Sequence, residues 1–133
     1  MWSMTVNPRF VDTDALGHIN NTVLPVWFEE ARTPIFRIFT PDLNPSDWHL
    51  IIAKIEVEFL AELFYGYPVE VKTYFEKIGN SSMVVIHEAW QNDSLCSRGK
   101  AVLVHYDHAL KQSKPLTSQQ RDILIPHLTK DSA

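Results

Sequence analysis

The second half of the chain alternates apolar and polar residues with a period of two, and this pattern limits the possible folds more than any other feature. From Ile51 to Phe59 the odd positions are apolar, whereas the charged residues occupy even positions. Residues 69–76 repeat the pattern. Because successive side chains of a strand point to opposite faces, this period predicts half-buried strands rather than helices.

Turn residues divide this half of the chain into antiparallel strands. Gly79-Asn80 predicts a tight hairpin, since both residues tolerate positive φ, and residues 92–94, Asn-Asp-Ser, predict the next turn. Residues 83–86 are apolar on both faces, which indicates a central strand, and residues 101–106 form the last long strand. We therefore expect four antiparallel strands after residue 50.

The first half of the chain predicts a short strand at residues 5–10 and then a helix. Its apolar residues recur three and four positions apart, at Leu24, Trp27, Phe28, Ala31, Ile35 and Ile38. Pro34 removes a backbone hydrogen bond and should kink or end that helix. A shorter helix should run from Thr117, whose hydroxyl can cap it, to about His127. This order of elements predicts one α+β domain over residues 1–133.

Composition narrows the function. A chain of 133 residues can bury its own core, and its single cysteine, Cys96, excludes an internal disulfide and suits a reducing compartment. The 12 Lys and Arg against 16 Asp and Glu give a net charge of −4, which argues against a general nucleic-acid binder. No secretory signal or apolar membrane span is visible, so we expect a cytoplasmic protein without a membrane partner.

The densest group of polar residues, residues 9–21, lies between the first strand and the long helix. A loop in this place presents unpaired backbone N–H groups and the positive end of the helix dipole, which can hold an anion or an oxyanion. Asn20 or Asn21 should cap the helix. Gly17 supplies a turn at which the backbone can approach a ligand.

Asp14 and His18 give this loop its chemistry, because they bring an acid and a base within four residues of each other. A carboxylate that attacks a carbonyl or activates water, beside N–H groups that stabilise an oxyanion, fits acyl transfer. The alternative is that these residues only shape the loop and cap the helix, as Asp and Asn often do.

Residues 9–14, the Gly-His-Ile-Asn-Asn sequence at 17–21 and residues 28–32 resemble the opening of hot-dog-fold acyl-CoA thioesterases of the 4-hydroxybenzoyl-CoA thioesterase type. The resemblance implies a five-stranded antiparallel sheet wrapped around a long central helix, in a homodimer or homotetramer with the active site between two chains. It also implies hydrolysis of an acyl-CoA to the free acid and coenzyme A, with no metal or redox cofactor.

By the same resemblance, Asp14 matches the catalytic carboxylate, acting as nucleophile or general base, and Asn21 matches the residue whose backbone N–H polarises the thioester carbonyl. The loop residues that match substrate-binding positions are Gly17, His18 and Asn20. Asp12 should brace the loop. Where close relatives carry an aromatic and an aliphatic residue, this chain has Leu24-Pro25, which alters the wall of the acyl pocket.

Coenzyme A carries phosphate charges, and an acidic protein needs a local positive surplus to bind them. Between residues 98 and 114 the cations outnumber the one acid, Asp107; they are Arg98, Lys100, Lys111 and Lys114. We therefore predict that Arg98 and Lys100 contact the substrate's phosphates. The alternative is that they are ordinary surface cations.

Other candidates are weaker. His105 and His108 would point to opposite faces of a strand, so no metal site is predicted there. Cys96 is expected to be a small buried thiol, and Glu30 is a candidate for supporting the site. Two other functions stay open: a hot-dog hydratase or dehydratase acting on acyl thioesters, and a module that binds acyl thioesters without turnover.

Overall fold

The computed structural model describes residues 1–128, and residues 129–133 of the predicted domain lie outside the described part. An antiparallel sheet carries the strand order β1-β3-β4-β5-β2. Its strands are β1 (Trp2–Val6), β2 (Leu50–Phe59), β3 (Val69–Ile78), β4 (Ser82–Gln91) and β5 (Ser94–Asp107). A sixth strand of two residues, β6 (Gln112–Ser113), extends the predicted five by pairing with the end of β5. The α+β class and the central position of β4 are confirmed.

Two short helices stand where one long central helix was predicted. Arg32 separates helix α1 (Leu24–Ala31) from helix α2 (Thr33–Phe39), capping the end of the first and the start of the second. The predicted interruption at Pro34 is therefore confirmed, because proline has no N–H to continue the helical hydrogen bonds. Helix α2 begins with a new hydrogen bond, in which the Ile35 N–H donates to the Arg32 carbonyl at 2.8 Å.

Both helices pack against one face of the sheet. Helix α1 buries Leu24, Trp27, Phe28 and Ala31 against residues of β3, β4 and β5. Helix α2 buries Ile35 and Phe39 together with Leu124 of α3 (Ser118–Leu124). The predicted capping of α3 is confirmed, with Thr117 accepting from the Gln120 N–H at 3.1 Å.

Helix α1 approaches β5 most closely at Gly99. A Cβ atom added there would lie 2.5 Å from Cδ2 of Phe28, which is far inside van der Waals contact. The glycine is therefore required by packing and not by its backbone conformation. The short distance to Phe28 also shows that Gly99 faces the helix, so its neighbours Arg98 and Lys100 project from the opposite face of the sheet.

The edge strand β2 is exposed, although its alternation predicted burial on one face. Ile52, Ile55 and Phe59, which the register with β5 places on one face, retain 44%, 51% and 55% of their surface. Helix α1 lies mainly over β1, β3 and β5, and Val57 is the residue of β2 that packs against its cluster. A register shift between Ile52 and Lys54 also interrupts the alternation. One chain therefore leaves an apolar strand face unburied.

The end of β1 differs from the sequence prediction, whereas the turn after β4 agrees with it. The first strand ends at Val6, so the prediction of a strand to residue 10 was wrong, and residues Phe10–Asp12 form a short 3₁₀ turn. The predicted turn after β4 is confirmed, with Asn92 and Asp93 both at positive φ. In residues 1–128, no helix combines the length and apolarity needed to cross a membrane.

Candidate functional site

The loop between β1 and α1 is anchored by the buried side chain of Asp12. Its carboxylate accepts from the Arg9 backbone N–H at 2.8 Å and from the Arg9 guanidinium at 3.0 Å. These hydrogen bonds hold the pKa of Asp12 below its usual value. The Asp12 carbonyl accepts from the Asn20 N–H at 2.8 Å, so this residue ties both ends of the loop. The arrangement fits the bracing role expected of Asp12.

A tight turn holds Asp14 and His18 against each other. One carboxylate oxygen of Asp14, Oδ1, accepts from the backbone N–H groups of Leu16 at 2.8 Å and His18 at 3.1 Å. The Asp14 N–H in turn donates to the His18 carbonyl at 2.7 Å. Gly17 completes the turn with a φ of +81°, a conformation that favours glycine. Oδ2 of Asp14 makes no hydrogen bond with any residue in the described range.

Asp14, His18 and Asn21 line one cavity of about 230 Å³. The sequence predicted all three, and the structure brings them together. The rest of the wall comes from the same loop, from α1, from the end of β2 and the segment after it, and from the start of β5. These residues are Leu16, Ile19, Leu24, Phe59, Ala61, Glu62, Leu63, Cys96 and Ser97.

Glu62 is a site residue that the sequence analysis missed. Its carboxylate contacts Nδ1 of His18, and both side chains line the cavity with Asp14. The His18 ring also packs edge-on against Phe64, with ring centroids 5.4 Å apart. If Nδ1–H donates to Glu62, the other ring nitrogen, Nε2, is left as an acceptor. An acid between Ala61 and Leu63 was the only signal, and it gave no hint of a histidine 44 positions earlier.

The start of α1 differs from the prediction that Asn20 or Asn21 caps it. The residue before the helix is Val23, which makes no capping hydrogen bond from its side chain. The Asn20 side chain instead stabilises the preceding turn, accepting from the Thr22 N–H at 3.0 Å and from the Thr22 hydroxyl at 2.9 Å. No described group accepts a hydrogen bond from the Asn21 N–H. This N–H therefore has no partner among the described residues, in a residue that lines the cavity.

The Cys96 thiol lies in the wall as a neutral group. It is buried, its Sγ donates to the Ser94 carbonyl at 3.3 Å, and burial raises its pKa. A raised pKa suppresses the thiolate that a nucleophilic cysteine needs. This agrees with the expectation of a small buried thiol. Among residues 1–128, no three His, Cys, Asp or Glu side chains are grouped as metal ligands would be.

Arg98 and Lys100 are not brought into the Asp14 cavity. They line a separate depression of about 220 Å³ with Gly99 and three acids, Glu56, Glu58 and Glu76. Lys100 pairs with Glu76 at 2.9 Å. Glu30 is also remote, because it is exposed and lines a third cavity. The phosphate-binding role of the two cations remains a prediction, and the acids around them weaken its electrostatic basis.

Comparisons with known proteins match almost the whole chain. Residues 8–124 match a family described as the Thioesterase-like superfamily. A predicted thioesterase from Bacillus stearothermophilus is similar at 38% identity and a TM-score of 0.93, covering 96% of both chains. A thioesterase from Thermus thermophilus, complexed with coenzyme A and Zn, is similar at 29% identity and a TM-score of 0.83, covering 95% of this chain and 92% of that one.

A further relative is an uncharacterized protein of Bacillus subtilis strain 168, YsmA. It is 22% identical over 122 residues, which cover 90% of this chain and 82% of the relative. The matched lengths include both the polar loop and the sheet, so the similarity extends over the candidate site and the framework that carries it.

Proposed function

Because this chain belongs to the thioesterase-like superfamily, we propose that it hydrolyses an acyl-CoA thioester to a free acid and coenzyme A. One observation carries the proposal: the Asp14 carboxylate shares a cavity with His18 and Asn21, and one of its oxygens is fixed by two backbone N–H groups. The finer assignment to the 4-hydroxybenzoyl-CoA thioesterase type is part of this proposal. It rests on the resemblance of residues 9–14, 17–21 and 28–32.

In the proposed reaction Asp14 works in one of two ways. As a nucleophile, its carboxylate oxygen attacks the thioester carbon and expels the coenzyme A thiolate, and water then hydrolyses the mixed anhydride. As a general base, Asp14 takes a proton from a water molecule whose oxygen attacks the same carbon. Holding Oδ1 through two N–H groups leaves Oδ2 for either role.

The oxyanion needs a donor, and we assign that role to the Asn21 N–H. The preceding turn leaves this N–H without a partner among the described residues, and α1 adds the positive end of its dipole a few residues later. Preorganised N–H donors of this kind stabilise the charge that develops on the carbonyl oxygen. The assignment concerns the backbone of Asn21 and not its amide side chain.

The remaining loop residues position the substrate in this proposal. Gly17 and Asn20 shape the turns on either side of His18, and Glu62 fixes the His18 ring. His18 then directs Nε2 toward the thioester or the attacking water. This chemistry uses water, a carboxylate and backbone donors, so it requires neither a metal nor a redox cofactor.

We further propose that the working unit is a homodimer formed along β2. The strand offers a row of unpaired backbone groups at the sheet edge and, on one face, exposed apolar side chains at Ile52, Ile55 and Phe59. A second copy of the same strand would satisfy both features at once, as a two-fold interface requires. Phe59 also lines the Asp14 cavity, so pairing at β2 would complete its wall. A homotetramer would need a second surface.

The decisive experiment is Asp14→Asn, assayed by thiol release from short, medium and aromatic acyl-CoAs. We expect turnover to fall by about 10²–10⁴-fold, because the neutral amide is neither a nucleophile nor a base. Asp122→Asn, an exposed change on α3, is the matched control and should retain full activity. Near-full activity of Asp14→Asn in a folded protein would remove the assignment.

One observation supports the hydratase or dehydratase alternative: the contact between His18 and Glu62, since such enzymes pair a histidine with an acid. Incubation with an enoyl-CoA separates the two, because hydration removes the conjugated absorbance without releasing thiol. Stabilisation by coenzyme A, with neither reaction on any acyl-CoA, would instead support a binding module.

A further inference from the structure

The buried side chain of Gln91 holds the segment between β2 and β3, residues 60–68. Gln91 is the last residue of β4 and has only 4% of its surface exposed. Its Oε1 accepts from the Phe64 N–H at 2.9 Å, and its Nε2 donates to the carbonyls of Phe64 at 2.9 Å and Tyr67 at 3.1 Å. One side chain therefore makes three hydrogen bonds to the backbone of this segment.

The Gln91 amide pairs with Phe64 as the backbone of a neighbouring strand would. Backbone N–H and carbonyl groups outside a sheet need other partners, and a glutamine amide offers both an acceptor and two donors. The Phe64 N–H can only donate and the two carbonyls can only accept, so these contacts also fix the direction in which the amide points. A glutamate could keep only the first of the three bonds, and a methionine could keep none.

The segment that Gln91 holds carries part of the candidate site. Glu62 lines the Asp14 cavity and contacts Nδ1 of His18. Two positions later, the Phe64 ring packs edge-on against the His18 ring, with centroids 5.4 Å apart. The His18 ring therefore touches two side chains of this segment, and its orientation depends on where the segment lies.

The polar loop is the second anchor of the same segment. The Ile19 N–H donates to the Leu63 carbonyl at 2.8 Å, and His18 pairs with Phe64 in an antiparallel bridge. Residues 62–64 are thus held by the loop that carries the candidate catalytic groups and, from β4, by Gln91. Loss of the Gln91 contacts would leave these residues attached to the loop alone.

We propose that Gln91 is a positioning residue of the candidate active site, which sets through residues 62–64 where Glu62 and Phe64 meet the His18 ring. Gln91 is not among the described residues that line the Asp14 cavity, so it acts through this segment and not on the substrate. Reacting groups tolerate little displacement, since a shift of about 1 Å can cost about a hundredfold in rate. This role rests on the hydrolysis proposed above.

The first test is Gln91→Met, which keeps the length of the side chain and removes all three hydrogen bonds. We expect kcat for acyl-CoA hydrolysis to fall about ten- to a hundredfold, with KM changing less than about threefold, because the substrate still enters the same cavity. Gln119→Met, the same substitution at an exposed position of α3, is the matched control and should retain full activity. Circular dichroism and thermal unfolding establish that each variant is folded.

Gln91→Glu keeps the test valid if Gln91→Met does not fold. The carboxylate is nearly identical in shape and retains an acceptor for the Phe64 N–H, but at neutral pH it faces two carbonyl oxygens to which it cannot donate. Its kcat should also fall, with little change in KM. If neither variant folds, Gln91 supports the fold as a whole and the proposal fails.

The double variant Gln91→Met with Glu62→Gln separates positioning from a general loss of structure. If Gln91 acts through Glu62 and His18, the second change adds little to the first, and kcat of the double variant should lie within about threefold of the slower single variant. Independent damage would multiply the two losses. Multiplied losses, or an effect of Gln91→Met on KM alone, would overturn the proposal.

The ring protons of His18 give a readout that does not depend on catalysis. The edge-on Phe64 ring affects their NMR resonances, which are assigned by their loss in His18→Gln. Gln91→Met should shift these resonances, whereas Gln119→Met should not. A shift in a protein that hydrolyses no acyl-CoA would support the positioning of His18 while the proposed function fails. Unshifted resonances in folded Gln91→Met would overturn the inference even where hydrolysis is observed.

Discussion

The two ends of α1 carry polar groups in opposite ways. In the loop before its start, one carboxylate oxygen of Asp14 is held by hydrogen bonds from backbone groups at most four residues away. At its end, Arg32 is buried against His87, 55 residues distant, and keeps an unpaired Nε. The Asp14 oxygen is held by local turns alone, whereas the position of Arg32 depends on contacts that form only across the fold.

The largest effect should appear in the free energy of unfolding at acidic pH, through His87 beside Arg32. Burial first, and the nearby Arg32 cation second, lower the pKa of His87 in the folded protein to about 3, from an ordinary value of 6.5. Between these values the unfolded chain binds a proton that the folded chain does not, so protonation favours unfolding as the pH falls. We expect His87 to contribute a loss of about 3 kcal/mol from about pH 6.5 to about pH 4. Denaturant unfolding at several pH values measures it.

The matched comparison is His87→Gln, which can still accept from Arg32 but does not titrate. Its free energy of unfolding should fall less steeply over the same pH range. Parallel curves for the two proteins would show that His87 is not protonated on unfolding in this interval, and would contradict the description of a neutral histidine beside a buried cation.

The next largest effect is expected for Glu62, which contacts His18 and lines the Asp14 cavity. Glu62→Gln should lower kcat for acyl-CoA by about ten- to a hundredfold with little change in KM, because a misoriented His18 spoils the reacting geometry more than binding. Glu62→Asp, which keeps the charge, should recover part of the rate. A change confined to KM, or no recovery by aspartate, would show that Glu62 contacts the substrate or only supports the fold. Glu70→Gln, an exposed change on β3, controls for lost surface charge.

The same contrast between local and distant contacts explains which parts of the site the sequence predicts. Asp14, Gly17, His18 and Asn21 lie within eight positions, and local turns bring them together, so their spacing was sufficient. The predicted cap of α1 was wrong because the Asn20 side chain accepts from the Thr22 N–H and closes a separate turn before α1 begins. Pairs formed across the fold have no such local signal.

The Arg32–His87 and His18–Glu62 contacts belong to that second kind. Each joins an early loop or helix to a strand or segment much later in the chain, so only the folded sheet reveals them. The exposure of β2 was missed for a related reason. Alternation shows that Ile51–Phe59 has an apolar face, but it does not show whether the covering surface belongs to the same chain.

The smallest effect should come from Lys100, which lies outside the Asp14 cavity. Its Nζ is held by Glu76 at 2.9 Å in a depression that contains two more acids, and a partly exposed charge in that setting contributes little to binding. We expect Lys100→Gln to raise KM for acyl-CoA by less than about threefold. Lys111→Gln, a lysine outside this depression, provides the baseline. If Lys100→Gln instead raises KM about tenfold at low salt and the difference disappears at high salt, Lys100 contacts a phosphate of coenzyme A, and the acids around it do not exclude the substrate.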